Sequence, residues 1–447
     1  MSQLNRKIQT EFTHEGAPAK IINAEAQLRR TVMACLLWED SFYEDGQSVA
    51  DRIKLLVPQV DPEKVAEMAI HARSEQRLRH VPLLLARELA RNGKLKSDLL
   101  FKIIQRADEL TEFVAMYWQD GKCPLSKQVK LGLAKAFTKF DAYQLAKYNR
   151  NGQVKLRDVL FLCHAKPKDK LQESNWKKLA EGKLESPDTW EVGLTQGGDK
   201  KEVFTRLIQE NNLGYMALLR NLRNMKESGV DERLVFTALE EGASKSKALP
   251  FRYIAAANAV PQWEPQIDKA MILAMGSMPR LQGKTLLMLD HSGSMSSGLS
   301  QKSELSRADA AAGLAILLAG VADSLEVVSF SSDGAGYYSG KFELVADVPP
   351  RQGMAMKDAY FNSMPVWGGT DLGAALKVTD KGNYDRLIVI TDEQSCSRVP
   401  APKGKGYMVN VATYQNGVGY HKWTHIDGWS ESIVRFIVES EAENLPM

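Results

Sequence analysis

Near residue 280 the spacing of apolar residues changes, and this change restricts the chain to folds that join an all-helical part to a strand-bearing one. From about Ala24 to Lys247 the apolar residues keep a helical spacing, in stretches separated by short polar or Pro/Gly breaks. Asp61-Pro62-Glu63 starts one helix, with Asp as N-cap and Pro at the first helical position, and the run through Ile70 follows it. Further helices are predicted over 80–91, 97–109, 124–139, 141–149, 155–165, 201–211, 214–226 and 231–242. Helices this short cannot each bury an apolar stripe alone, so stacked antiparallel pairs, as in HEAT-type α-solenoids, are expected of residues 1–280.

After Gly283 the pattern is one of short apolar runs. Residues 284–289 (KTLLML), 325–330 (LEVVSF), 385–391 (DRLIVIT) and 407–413 (YMVNVAT) have the composition of parallel strands buried on both faces. An Ala-rich helix is predicted over 303–322, and another from Thr370 through Lys377. Strands alternating with helices imply a doubly wound, Rossmann-like parallel sheet over 281–447, so the whole chain reads as α plus α/β, multidomain. Ligands in such sheets bind at the carboxyl ends of the strands.

Charge separates the two parts as well. Residues 1–280 hold 44 Lys+Arg against 36 Asp+Glu, whereas 281–447 hold 14 against 19, so a net +3 conceals +8 and −5. The helical part is therefore the candidate for a polyanionic partner. No run reaches the roughly 18 apolar residues of a membrane span, and MSQLNRKIQTEF lacks a signal-peptide core, so no membrane partner and a cytoplasmic location are expected. Cys35, Cys123, Cys163 and Cys396 are scattered singly, which predicts free, mostly buried thiols.

Asp290 closes the first strand and opens the loop Asp290-His291-Ser292-Gly293-Ser294, and Asp392 closes another strand, so both carboxylates reach one edge. Thr370 follows two flexible glycines, Gly368 and Gly369, and its hydroxyl can turn to the same edge. Two carboxylates and three hydroxyls form an all-oxygen set that suits one hard divalent cation, Mg²⁺ first and Mn²⁺ or Ca²⁺ after it. Other chemistries fail on particular residues. An aspartyl phosphatase would need a second aspartate at 292, neither serine lies in G-x-S-x-G, and Gly283-Lys284-Thr285 precedes a strand where a phosphate loop would follow one. His291 has no companion His or Cys for zinc and reads as a solvated loop residue. The DxSxS…T…D pattern resembles the metal-ion-dependent adhesion site of von Willebrand factor A domains. That resemblance implies metal contacts, direct or through water, from Asp290, Ser292, Ser294, Thr370 and Asp392.

In the helical part the informative stretch is 147–183, with ten Lys+Arg against four Asp+Glu. Leu156, Val159, Leu160 and Cys163 share one face and should pack inward, while Arg157 and His164 lie along the flank. Lys and Arg on phosphates, with Tyr148 or His164 stacking on a base, would suit structured or single-stranded RNA.

Three segments carry a second resemblance: Lys147-Tyr148-Asn149-Arg150-Asn151-Gly152, Leu156-Arg157-Asp158-Val159-Leu160 through His164, Lys166 and Pro167, and Ala217-Leu218-Leu219-Arg220-Asn221-Leu222-Arg223-Asn224-Met225. They look like the TROVE module of the Ro autoantigen family, in a bacterial or phage-type form. In that family a ring of HEAT-like helices is closed by a von Willebrand A domain. The resemblance implies a non-catalytic ribonucleoprotein component, a monomer, that binds small non-coding Y-like RNA on the outer ring, takes 3′ ends of misfolded RNA through the hole, and acts in RNA quality control. It places RNA contacts on Lys147, Arg150 and His164, with Arg157 and Lys166 beside them; Arg220 and Arg223 could line the hole. Arg29, Arg30, Arg77 and Arg79 are weaker candidates. The alternative is a metal-dependent adaptor whose cation grips an acidic residue of a protein partner, an exoribonuclease among the possibilities. An RNA-cleaving enzyme has no visible nucleophile or acid/base pair in the sequence.

Overall fold

The computed structural model describes residues 11–13, 17–19, 23–33, 46–149, 152–246, 248–276, 278–299, 303–333, 344–412, 414, 417–419, 422–428 and 432–442. Helices dominate up to Met275 and the first long strand opens at Leu281, so the architecture is α followed by α/β. Compactness divides the chain differently from hydropathy: one unit gathers 1–49, 215–226 and 235–447, the other 50–214 and 227–234.

The second unit is built from short capped helices. Asp61 accepts from the amides of Glu63 and Lys64 to open Pro62–Ser74, Ser126 accepts from Val129 to open Lys127–Phe137, and Asp141 with Gln144 forms a capping box on Ala142–Tyr148. The single helix expected over 97–109 is two, Ser97–Ile103 and Asp108–Tyr117. Long-range polar groups break it. Arg73 Nε donates to the Ile103 carbonyl at 2.9 Å and Lys139 Nζ to that of Ile104 at 2.6 Å, satisfying the first helix's end. The buried Glu109 carboxylate accepts from the amides of Gln105 and Arg106, capping the next start, and pairs with Arg73 at 2.6 Å.

In the first unit a six-stranded mixed sheet has the order β5-β4-β3-β6-β7-β8. The strands are β3 (Leu281–Asp290), β4 (Ala322–Phe330), β5 (Val345–Asp347), β6 (Arg386–Thr391), β7 (Lys405–Asn410) and β8 (Trp423–Asp427), preceded in the chain by a two-residue ladder of β1 (Glu11–Phe12) and β2 (Pro18–Ala19). All neighbours in the six-stranded sheet are parallel except β4 and β5. The central strands are buried on both faces, which is why they read as unbroken apolar runs. One face packs Leu286, Met288, Val328, Phe330, Leu387 and Val389 against Leu372, Ala375 and Leu376 of helix Leu372–Thr379, with Ala17 from the N-terminal segment in the same cluster. That helix is opened by Asp371, which accepts from Ala374, and not by Thr370. The Ala-rich helix runs Arg307–Val321 behind a Ser306/Asp309 capping box. Among the described residues no helix is long and apolar enough to cross a membrane.

Candidate metal centre and cationic faces

Parallel pairing of β3 with β6, Leu289 opposite Ile390, brings Asp290 and the Thr391-Asp392 turn to one edge. There a hydrogen-bonded cage forms. Asp290 accepts from the Ser292 amide at 2.9 Å and from Thr391 Oγ1 at 2.5 Å; Asp392 accepts from Ser294 Oγ at 2.6 Å; the Ser292 and Ser294 hydroxyls lie 3.2 Å apart. The Thr370 loop is sewn on through its backbone. Gly293 N donates to Gly368 O at 2.6 Å and Cys396 N to Thr370 O at 2.8 Å, which sets Thr370 beside the Asp392 loop.

Of the two glycines before Thr370, Gly368 serves close approach rather than flexibility. A Cβ on Gly368 would stand 2.1 Å from the Ser332 carbonyl oxygen.

Asp290, Ser292, Thr370 and Asp392 are buried. Burial, and then the neighbouring Asp392 carboxylate, push the Asp290 pKa well above the usual range. Two carboxylates held this close in the interior are stable only with protons or cations near them. One cation is built in: Arg307, at the first position of its helix, lies 3.6 Å from Asp392 Oδ2 and donates to Ser294 O at 3.2 Å. The sequence reading missed both Arg307 and Thr391; only the Ser306-x-x-Asp309 spacing could have located Arg307 beside the site.

His291 is buried, against the expectation of a solvated residue. Its amide donates to Phe330 O at 2.7 Å, which turns the ring inward, where it stacks on Trp367 at 3.7 Å and meets Tyr360 edge-on at 5.5 Å. Burial pushes its pKa down to about 4, so it stays neutral. Neither ring nitrogen finds a hydrogen-bond partner among the described residues. Cys163 is buried, but Cys396 is exposed and Cys123 half-buried, so the thiols are less sequestered than expected; Cys35 lies outside the described residues.

The cationic candidates fall on separate elements. In the second unit, Arg157, His164 and Lys166 are exposed, whereas Leu156, Val159, Leu160 and Cys163 are buried as expected. The helix ends at Cys163, and His164 is its left-handed cap, φ 51°. Lys147 is half-buried and lies 5.8 Å from the Tyr143 ring and 5.9 Å from the Tyr148 ring; Arg106 covers Tyr148 at 4.7 Å, so that ring already carries a cation. Arg150 lies outside the described residues. In the first unit, Arg220 and Arg223 are exposed on helix Tyr215–Glu227, opposite its buried Leu218, Leu219, Leu222 and Met225. Partial burial, and then Arg220, hold the Arg252 guanidinium below the usual arginine range.

Of the weaker candidates, Arg29 and Arg77 are exposed, but Arg79 is paired with Asp108 at 2.6 Å and with Glu112. Arg30 is buried against Glu393 at 2.6 Å. Burial alone would raise the Glu393 pKa; Arg30 and then His425, 3.1 Å away, outweigh it and hold the carboxyl below its usual range.

The family model for the TROVE domain matches residues 176–291. Telomerase protein component 1 of Mus musculus is 37% identical over 90 residues, 19% of this chain, and that of Rattus norvegicus is 34% identical over 90 residues. The match spans only 3% of the length of these curated relatives. A crystal structure of the Deinococcus radiodurans Ro protein superposes with a TM-score of 0.61 at 19% identity, covering 92% of this chain and 97% of that one.

Proposed function

Because the chain carries a TROVE domain and shares the fold of a Ro protein, we propose that it is the RNA-binding component of a ribonucleoprotein particle and not an enzyme. The helices hold a small, structured, Y-like RNA on their outer side and admit the single-stranded 3′ ends of misfolded RNA to a central hole, a role in RNA quality control by a cytoplasmic monomer. The observation that carries this reading is the exposure of Arg157, His164 and Lys166 along and just past helix Leu156–Cys163, where two cations and an imidazole ring open to solvent suit a phosphate backbone with a stacked base.

The cage at the sheet edge fits a hard divalent cation. Its donors are all oxygen, and its two buried carboxylates repel one another. Asp290, Ser292, Ser294, Thr370 and Asp392 would hold Mg²⁺, or Mn²⁺ or Ca²⁺ in its place. When bound, the ion would offer an open coordination position to an acidic side chain of a protein partner, an exoribonuclease or another adaptor-bound protein. Thr391 holds Asp290 by a hydrogen bond, and Arg307 stands beside Asp392 as its counter-charge.

Sequencing of RNA that copurifies with the full chain tests the main reading. Enrichment of one small structured RNA is expected; protein free of RNA, or bulk fragments in proportion to their abundance, would contradict it.

A further inference from the structure

The loop that carries Asp392 has an unusual backbone. Glu393, the next residue, takes a left-handed conformation, φ 61°, which non-glycine residues rarely adopt. Such a residue persists only where its surroundings hold it there. Locally its amide donates to Thr391 Oγ1 at 3.0 Å, and this turn sends the Glu393 side chain away from the Ser294 and Arg307 contacts of Asp392.

The rest of the grip comes from the N-terminal segment. Arg30, on helix Ala24–Met33, pairs with Glu393 Oε2 at 2.6 Å, both side chains almost wholly buried, and its Nε donates to Tyr414 O at 2.7 Å. Gly417 closes over the pair: a Cβ there would stand 2.3 Å from Glu393 Oε2 and 2.8 Å from Arg30 Nη2. Two residues further along the loop, Ser395 O accepts from Thr13 Oγ1 at 2.9 Å, while Ser395 Oγ accepts from the amide of Leu372, just past Thr370. Ala17 is packed in the sheet core between these two anchors. The N-terminal segment therefore touches the Asp392 loop at two points, and through Ser395 it reaches the Thr370 loop.

We propose that Arg30 is a positioning residue for the metal centre: by clamping Glu393 from the N-terminal helix it holds Asp392 in its ligating position, so that divalent-metal binding and docking of helix Ala24–Met33 reinforce one another. This rests on the reading of Asp290, Ser292, Ser294, Thr370 and Asp392 as metal ligands. Linkage makes the coupling reciprocal. A metal ion tightens the N-terminal clasp, and loosening the clasp weakens the metal.

The experiment uses the full chain with Mn²⁺ as the probe. Calorimetry on wild type, Arg30→Met, Arg30→Lys and Glu393→Gln gives affinity, and hydrogen exchange over residues 24–33 with and without Mn²⁺ gives docking. Arg30→Met should weaken Mn²⁺ at least fivefold, Arg30→Lys should recover part of the loss, and the Arg30→Met/Glu393→Gln double variant should be no worse than the weaker single one. In wild type, saturating Mn²⁺ should slow exchange in helix Ala24–Met33 at least threefold. Folded Arg30→Met with affinity within twofold of wild type would overturn the proposal. So would exchange at 24–33 that Mn²⁺ leaves unchanged, a measurement on wild type that holds even if Arg30→Met fails to fold. Wild type that binds no Mn²⁺ would overturn the metal reading itself and this coupling with it.

Discussion

The Arg307 guanidinium stands 3.6 Å from the Asp392 carboxylate, with side-chain exposures of 2% and 0%. Asp392 thus has an internal counter-charge, and the cage can close before any metal arrives. That charge also opposes an incoming cation. Arg307→Met is expected to lower the stability of the metal-free protein by about 3 kcal/mol, the usual cost of breaking a buried pair, and to tighten Mn²⁺ binding. Urea denaturation in EDTA, paired with Mn²⁺ calorimetry, reads both signs. Weaker Mn²⁺ binding by folded Arg307→Met would show that the guanidinium organises the ligands more than it repels the ion.

Gly368→Ala is expected to cost about 2 kcal/mol through overpacking, because the new methyl would meet the Ser332 carbonyl at 2.1 Å. It should also displace Thr370 and so weaken Mn²⁺. Thermal denaturation and calorimetry on this variant check the two effects, and an unchanged midpoint would show that the Ser332 strand end gives way freely.

His425 gives a dependence on pH. Burial disfavours its charged form, but Glu393 and then Asp427 outweigh burial and raise its pKa above 6.5. A group whose folded pKa is raised binds more protons in the folded state, so its contribution is fully present below the unfolded pKa and is lost as pH rises through the folded one. The stability of wild type over His425→Gln should therefore be larger at pH 6 than at pH 8, measured by denaturation in EDTA. An equal difference at both pH values would mean that His425 acts only by hydrogen bonding, as in its 2.9 Å contact with Gly419 O.

Much of this was legible in the sequence, and the part that was not has a common cause. Local signals transferred well: the Asp61-Pro62 helix start, the inward face of Leu156, Val159, Leu160 and Cys163, and the apolar runs that became β3, β4, β6 and β7. β8 escaped notice because, as a strand of WTHID, it carries polar residues on a half-exposed edge. The helix break at Ile103 depends on Arg73, Lys139 and Glu109, and the burial of His291 on Trp367 and Tyr360. The partner of Glu393 lies 363 residues away. No window on the sequence contains such pairs.

Removal of the metal separates the two proposed functions. Asp290→Ala is expected to abolish Mn²⁺ binding and to leave RNA affinity within twofold of wild type, because the RNA candidates of the second unit and the ligands of the cage lie on different elements. Fluorescence anisotropy with labelled RNA, alongside calorimetry, checks this. A tenfold loss of RNA affinity in folded Asp290→Ala would show that the metal-bearing edge itself contacts RNA.

RNA recognition by the helical part is tested most directly by anisotropy on a hairpin RNA with a single-stranded 3′ tail, titrated from low to physiological salt, with wild type and Lys147→Ala/Arg150→Ala/His164→Ala. Each lost phosphate contact should flatten the slope of log affinity against log salt by about 0.7 to 0.9. The expected result is steep salt dependence for wild type, with at least tenfold weaker binding and a slope shallower by about 1 to 2 in the variant. Salt-insensitive binding by wild type, or a variant that binds as wild type does, would contradict it.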